Sequence, residues 1–243
     1  MNLEVAMKTD YKLYGLIVGL TITIMVVCDT VVFKVFDIYG LRITASGIIF
    51  SLFYLLSAIS TEVYGYKLGG RTVWIVVFCQ TIYVGLINIC AIIQIDSNEI
   101  SMHYHKLFHD FWRVCLGTWV SMPASYFCGS FLMSKLKIYF SGRFFILRYV
   151  CSAMMAQAML LLTAYPISMT SKYTFYELIN IICTTWCYKV IMSIMLLPVG
   201  VYLAQIIKKI EKTDYYDWSI SYNPLKVFQK DQDSLDRNNY FKE

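Results

Sequence analysis

The chain has 243 residues, of which 58% are hydrophobic and only 15% charged, with a formal net charge of +5 and a mean hydropathy of +0.56. A soluble domain carries about 25% charged and about 45–50% apolar residues. A water-soluble fold is therefore excluded, as are disorder, collagen and coiled coil, none of which tolerates so many aromatic and β-branched residues with so little charge.

A helix needs roughly 20 mostly apolar residues to cross a hydrocarbon core about 30 Å thick. Six stretches qualify, each solidly apolar rather than alternating, so membrane helices are expected and not a lipid-facing barrel. The first, Leu13–Phe33, has no A-x-A-type cleavage site and reads as a retained span, with no lipidation signature at either terminus. Asp29 lies near its outer end. The second is Ile43–Ser60. After it, Thr61-Glu62-Val63-Tyr64-Gly65-Tyr66-Lys67-Leu68-Gly69-Gly70-Arg71 reads as a short inner loop. Its glycines and the carboxylate flush against the span let it turn back toward the bundle.

The third span, Thr72–Ile95, carries Gln80 and Asn88, amides that either glue helix to helix or meet a solute. The outer loop beyond it holds His103, His105 and His109 with Tyr104, Lys106 and Asp110. Imidazoles at this spacing suit a borderline metal. An interfacial loop meeting headgroups and water is the favoured reading, and no metal is expected. The fourth span is Phe111–Met133, and a basic inner loop with Lys135, Lys137 and Arg143 follows. In the fifth, Phe144–Ile167, Gln157 lies mid-span among Ala153, Ala156, Ala158 and Ala164, small residues that let a neighbour or ligand come close. Arg113 and Arg148, near span ends, read as snorkelling anchors.

The sixth stretch, Phe175–Ile207, is too long for one perpendicular span and contains Pro198, so a tilted or kinked helix is expected, its last turns carrying Lys208 and Lys209 into water. Lys189 lies mid-span, with Thr185 and Ser193 four residues either side on the same face. A charge at a helix centre costs about 2.5–3.5 kcal/mol on insertion scales and usually faces a cavity, so Lys189 reads as functional. Cys183 and Cys187 share a face, but no second ligand pair is evident, and the eight cysteines read as small apolar residues. The expected architecture is an all-α polytopic membrane protein: a six-helix domain over residues 1–210 and a polar tail over 211–243, too small for a core of its own.

Short-loop Lys and Arg set the orientation. Lys8, Lys12, Lys67, Arg71, Lys135, Lys137, Arg143, Lys208, Lys209 and Lys212 fall on one side, against Lys34, Arg42, Lys106 and Lys172 on the other. Both termini are expected in the cytoplasm. No P-loop or dinucleotide fingerprint is present, and no catalytic residues or cofactor are expected. All three His lie in one outer loop and Asp29 is the only Asp within the spans, which leaves no intramembrane protease constellation.

Thr61-Glu62-Val63-Tyr64-Gly65-Tyr66-Lys67, followed shortly by Arg71, resembles the most recognisable motif of the queuosine precursor transporters, six-helix bacterial inner-membrane proteins also described as vitamin-uptake-transporter-like. The resemblance continues through Gly129-Ser130-Phe131, Lys135-Leu136-Lys137, Gly142-Arg143, then Arg148, Ser152 and Gln157. It closes on Tyr188-Lys189, Pro198, Tyr202, Lys209, Glu211, Asp214, Tyr216-Asp217 and Asn223-Pro224. The chain departs from that family at Ala58 and Leu160, where the resemblance implies Asp, and at Ala156, where it implies Gly.

Queuosine precursors are 7-deazaguanines, whose N1–H and exocyclic amine offer a donor pair to a carboxylate while the ring oxygen wants a donor. The residues left to meet such a solute are Glu62, Gln157, Asn88 and Asp29 as acceptors, with Lys189 as donor or as the partner of Glu62 in an empty site. Tyr188 stands beside Lys189, and aromatic faces suit a flat ring. The resemblance implies a transporter importing a small planar heterocycle, by likeness a queuosine precursor, across the inner membrane. The alternative is a membrane-embedded binding subunit that needs an energising partner. The expected partners are a small-molecule solute and the lipid bilayer, not nucleic acid, with a homo-oligomer or an energising partner left open.

Overall fold

A computed structural model describes residues 11–31, 34–38, 41–93, 99–109, 111–169, 174–214, 216–217 and 222–228. Lys8, Asp110, Lys172 and the tail beyond Phe228 lie outside the described residues. The order is α1 (Tyr14–Thr30), a hairpin of β1 (Val35–Ile38) and β2 (Leu41–Thr44), α2 (Ala45–Ile92), α3 (Glu99–Phe108), α4 (Phe111–Tyr139), α5 (Phe145–Met169), α6 (Phe175–Met195), α7 (Leu197–Glu211) and a 3-10 turn at Pro224–Phe228. The hairpin is antiparallel, with Val35 opposite Thr44 and Ile38 opposite Leu41. Apart from it the chain is an all-α polytopic membrane fold.

Three of the helices, α2, α5 and α6, are long and apolar enough to cross a membrane. The 48 residues of α2 would reach about 72 Å if straight, more than twice the depth of a bilayer core. They do not run straight: at Gly65 the backbone takes φ 82° and ψ 172°, a region that essentially only glycine occupies. The second and third expected spans are thus two arms of α2, joined by one residue. The inner loop expected over 61–71 is corrected to helix on both sides of that corner. Residues 59–66 are all buried, and a loop buried there would leave backbone groups unpaired. Gly65→Ala should cost about 1–3 kcal/mol, read as a lowered melting temperature of the purified protein in detergent. An unchanged melting curve would show that the corner tolerates a side chain.

The sixth stretch breaks where Pro198 requires it. α6 ends at Met195 with Leu196 as its cap, and α7 begins with the proline in its first turn, where the missing N–H has no helical partner to lose. The outer histidine loop is helical as well, as α3. Asn88 Nδ2 donates to the carbonyls of Phe108 (3.0 Å) and His109 (2.9 Å), satisfying acceptors that a helix end leaves open.

Helix packing is densest between α4 and α5, and between α2 and its neighbours α1 and α4. Phe50, Phe53, Tyr54, Val73, Val76 and Val77 of α2 meet Met122, Tyr126 and Phe127 of α4 in the main core. Leu86, Leu116, Val120, Leu147 and Leu162 face outward, as lipid-facing positions do.

The end of α7 and the chain past it close two helix starts at one end of the bundle. Glu211 accepts the N–H groups of Lys12 (3.1 Å) and Leu13 (2.7 Å) ahead of α1, and the Tyr64 hydroxyl (2.9 Å). Asp217 accepts the N–H of Tyr66 on both carboxylate oxygens (3.1 Å) and the hydroxyl of Ser134 (2.6 Å). Tyr66 opens the second arm of α2, so its N–H is one of the orphan donors of a helix start. The corner at Gly65 and its cap at Asp217 are two halves of one solution. Arg71 Nε donates to the Val227 carbonyl (2.7 Å), and Trp74 Nε1 to that of Pro224 (3.1 Å). A Cβ on Gly70 would stand 2.8 Å from Val227 Cγ1, so the close seat of this segment needs a glycine there.

Candidate functional site

A cavity opens between the first arm of α2, α4 and α5. Tyr54, Ser57, Ala58 and Thr61 line it from α2, Tyr126, Gly129, Ser130 and Met133 from α4, and Tyr149, Ser152, Ala153 and Ala156 from α5. Its empty space is about 280 Å³, yet unobstructed room inside is enough for only about one water molecule. No lining residue is ionisable at neutral pH; the polar groups are hydroxyls, each able to donate and to accept.

Several hydroxyls answer one another across the cavity. Thr61 Oγ1 lies 3.1 Å from Ser130 Oγ and 3.3 Å from the Tyr126 hydroxyl, and the Tyr54 hydroxyl bonds Ser125 Oγ. The Tyr149 hydroxyl, by contrast, is buried with no partner in hydrogen-bond geometry, Ser193 standing in longer reach. Gln157, next along α5 from Ala156 and fully buried, donates from Nε2 to Ser193 Oγ (2.7 Å), and its Oε1 is likewise buried and unpartnered. Buried polar atoms are almost always paired, so each exception calls for an explanation.

Charge lies next to the cavity, at Glu62 and Arg148, the chain neighbours of the lining residues Thr61 and Tyr149. Glu62, 1% exposed, takes a two-pronged pair from Arg148, with Nη1 to Oε2 at 2.6 Å and Nη2 to Oε1 at 3.2 Å. Lys208 Nζ reaches Oε1 at 2.6 Å. Lys137 Nζ lies 3.6 Å from the same oxygen and donates to the Glu62 carbonyl at 2.7 Å. Asp214 completes the network, 2.7 Å from Lys137 and 2.8 Å from Lys208. Burial works to raise the Asp214 carboxyl, but hydrogen bonds from Lys137 and Lys208 outweigh it and hold it below its ordinary value. At Asp217 burial wins, and the hydrogen bonds from Ser134 and Tyr66 N–H offset it only in part, so that carboxyl titrates above its ordinary value.

Arg148 is wholly buried in this network, which corrects its reading as a snorkelling anchor. Glu62 could not have shown its partners in the sequence, because Arg148 lies 86 positions away and Lys208 lies 146. The only local signal was Glu62 itself, a carboxylate at a span end that must be paired.

The other sequence candidates are scattered. Lys189 is buried beside Gly47 and Phe50, with Nζ 4.8 Å from the Phe50 ring centroid. Gly47 and Glu62 stand about 22 Å apart along one helix arm at 1.5 Å per residue, so Lys189 does not pair with Glu62. The expected stripe on α6 is present: its buried residues are Leu178, Thr185, Lys189 and Ser193. Tyr188 bonds Thr44 at the hairpin's end, at 3.2 Å. Asp29, near the outer end of its span, is buried, with Gln80 in electrostatic reach and Oδ2 without a hydrogen-bond partner. Asn88 holds the end of α3, away from the cavity. Of the six candidates none lines the cavity, although Gln157 and Glu62 each adjoin a residue that does. Tyr54, Tyr126 and Tyr149 went unsingled, because twenty tyrosines offer no local means of telling a lining ring from a lipid-facing one.

A family described as "Putative vitamin uptake transporter" matches residues 44–204, about two thirds of the chain, from the end of the hairpin into α7. The matched span contains the whole cavity lining, Glu62 and Arg148. No curated protein and no solved structure matches.

Proposed function

We propose that this chain, which belongs to the vitamin uptake transporter family, imports a small, neutral, flat heterocycle through the cavity between α2, α4 and α5. The observation that carries the reading is a cavity lined by hydroxyls and aromatic rings with no ionised group, beside two buried polar atoms, Tyr149 Oη and Gln157 Oε1, that have no partner in hydrogen-bond geometry. A charged solute would meet no counter-charge in such a lining. A neutral ring with alternating donors and acceptors exchanges bonds with hydroxyls one for one. By its resemblance in Thr61–Lys67 and beyond, the solute is a queuosine precursor of the 7-deazaguanine type. Gln157 Oε1 would accept from its N–H groups, and Tyr149 would donate to its carbonyl oxygen.

The cavity's small free room matches a closed state in which solute enters only as helices part. Under the orientation that the basic residues favour, the Glu62 network is the inner gate of an inner-membrane protein. Opening it would draw Lys208 and Asp214 off the bundle while Arg148 stays on Glu62. The direct test is uptake of radiolabelled 7-deazaguanine by the purified chain alone in liposomes. Saturable uptake, competed by unlabelled base and reduced at least tenfold in Tyr149→Phe with Gln157→Leu, supports the reading. Binding in detergent without uptake in liposomes would instead favour a binding subunit that needs an energising partner. Binding to neither preparation would sink it.

A further inference from the structure

We propose that Lys189 is the proton-binding site through which uptake is coupled to a proton gradient. The proposal rests on the transport reading above and adds its source of energy. Lys189 is 5% exposed, and among the described residues it makes no ion pair, although Arg148, Lys137 and Lys208 at the other end of the bundle all have carboxylates. A lysine held in a membrane interior without a counter-ion is costly when charged and comfortable when neutral, so its proton state follows its access to water.

The groups that face Lys189 leave this open to change. From α1 come Cys28 and, next to it, Asp29, whose Oδ2 is buried without a partner; Cys28 lies within electrostatic reach of both. The first arm of α2 offers only Gly47 and the Phe50 ring. On α6 Tyr188 stands with Lys189 against Gly47, and Tyr165 of α5 lies within reach of Tyr188. None of these supplies a fixed negative charge in bonding contact. Glu62, by contrast, is held by three cations, and taking up a proton there would leave Arg148 buried without its partner.

The route from solute to Lys189 runs along α6. Gln157 donates to Ser193 Oγ, and Ser193 Oγ donates to the Lys189 carbonyl at 3.0 Å. A solute that engages Gln157 therefore pulls on the helical turn that carries Lys189. The step balances simply: the amine takes one proton on the outer side as solute enters and releases it inside as solute leaves. Outward-facing and inward-facing states differ in which side's water reaches the amine.

The test uses the full chain in liposomes loaded with a pH-sensitive dye, with labelled 7-deazaguanine as probe. With acid outside, the native chain should accumulate label above equilibrium, the dye should report proton entry that depends on solute, and a protonophore should abolish the accumulation. In Lys189→Met, whatever exchange of label for unlabelled base persists should no longer respond to the pH gradient, and solute-dependent proton entry should vanish. Lys189→Arg keeps the length and charge but cannot release its proton. It guards against a variant that fails to fold, and should be equally unresponsive to the gradient. Native exchange that ignores the gradient, or variants still driven by it, would overturn the assignment of Lys189. A native chain that exchanges no base at all would show that the transport reading is at fault, and the coupling would fall with it.

Discussion

Glu62→Gln should unfold the bundle's charged end rather than tune it, at a cost of about 3–5 kcal/mol, the usual penalty for breaking a buried ion pair by removing one partner. The reason is asymmetry. Glu62 neutralises Arg148, which is wholly buried and has no other carboxylate among the described residues, and shares Lys208 and Lys137 with Asp214. Replacing the carboxylate by an amide leaves the guanidinium buried with neutral acceptors alone, the amide oxygen and the carbonyls of Gly142 and Arg143. Arg148→Met should cost less, because Glu62 keeps both lysines. Asp214→Asn should cost least, about 1 kcal/mol or less, since the Asp214 side chain is 45% exposed and solvent screens its pairs. Melting curves in detergent should rank the three in that order. If Glu62→Gln melts with the native protein yet no longer binds solute, then Glu62 is a solute acceptor after all and the gate assignment fails.

Ala58→Asp should raise affinity for a 7-deazaguanine by roughly 10- to 100-fold, the equivalent of about 1.5–3 kcal/mol for a hydrogen bond to a charged group. Ala58 lines the cavity directly. A carboxylate there can accept the N1–H and amine pair of the base side by side, which no lining hydroxyl does alone. Hydroxyl donors at Ser57, Thr61, Tyr126 and Ser130 surround the same space and would support the charge. Ala58→Asn, with an amide in place of the carboxylate, should fall between the two. Leu160→Asp is a different matter. Leu160 belongs to the apolar core beside Met122 and Tyr126, not to the cavity wall, so a carboxylate there is buried without a partner and should destabilise by several kcal/mol. Equilibrium binding of labelled base in detergent separates these cases. An Ala58→Asp protein that folds normally and binds no better would mean that the cavity does not read the base.

What the sequence determined by itself follows from residue type against a hydrocarbon solvent. The apolar helical stretches, the break at Pro198 and the buried Thr185, Lys189 and Ser193 stripe each depend on neighbours within a turn or two, and the bilayer imposes the same rule on all of them. A pattern that local is legible before any packing is known.

The tertiary structure decided who meets whom. Glu62 alone says only that a carboxylate at a span end needs a partner. Which cations answer depends on α4, α5 and α7 converging on one end of the bundle. Asp217 shows in the sequence only as one piece of a family resemblance, and its partner is set where Gly65 breaks α2 and leaves the Tyr66 N–H to be satisfied from 151 positions away. Ala58 and Leu160, alike in sequence as two lost carboxylates, part company in the same way: one faces a cavity and the other a core. The physical reason is common to all three. Burial is set by the solvent and can be read residue by residue, whereas pairing is set by the packing of helices far apart in the chain, where only the folded geometry brings opposite charges or open space together.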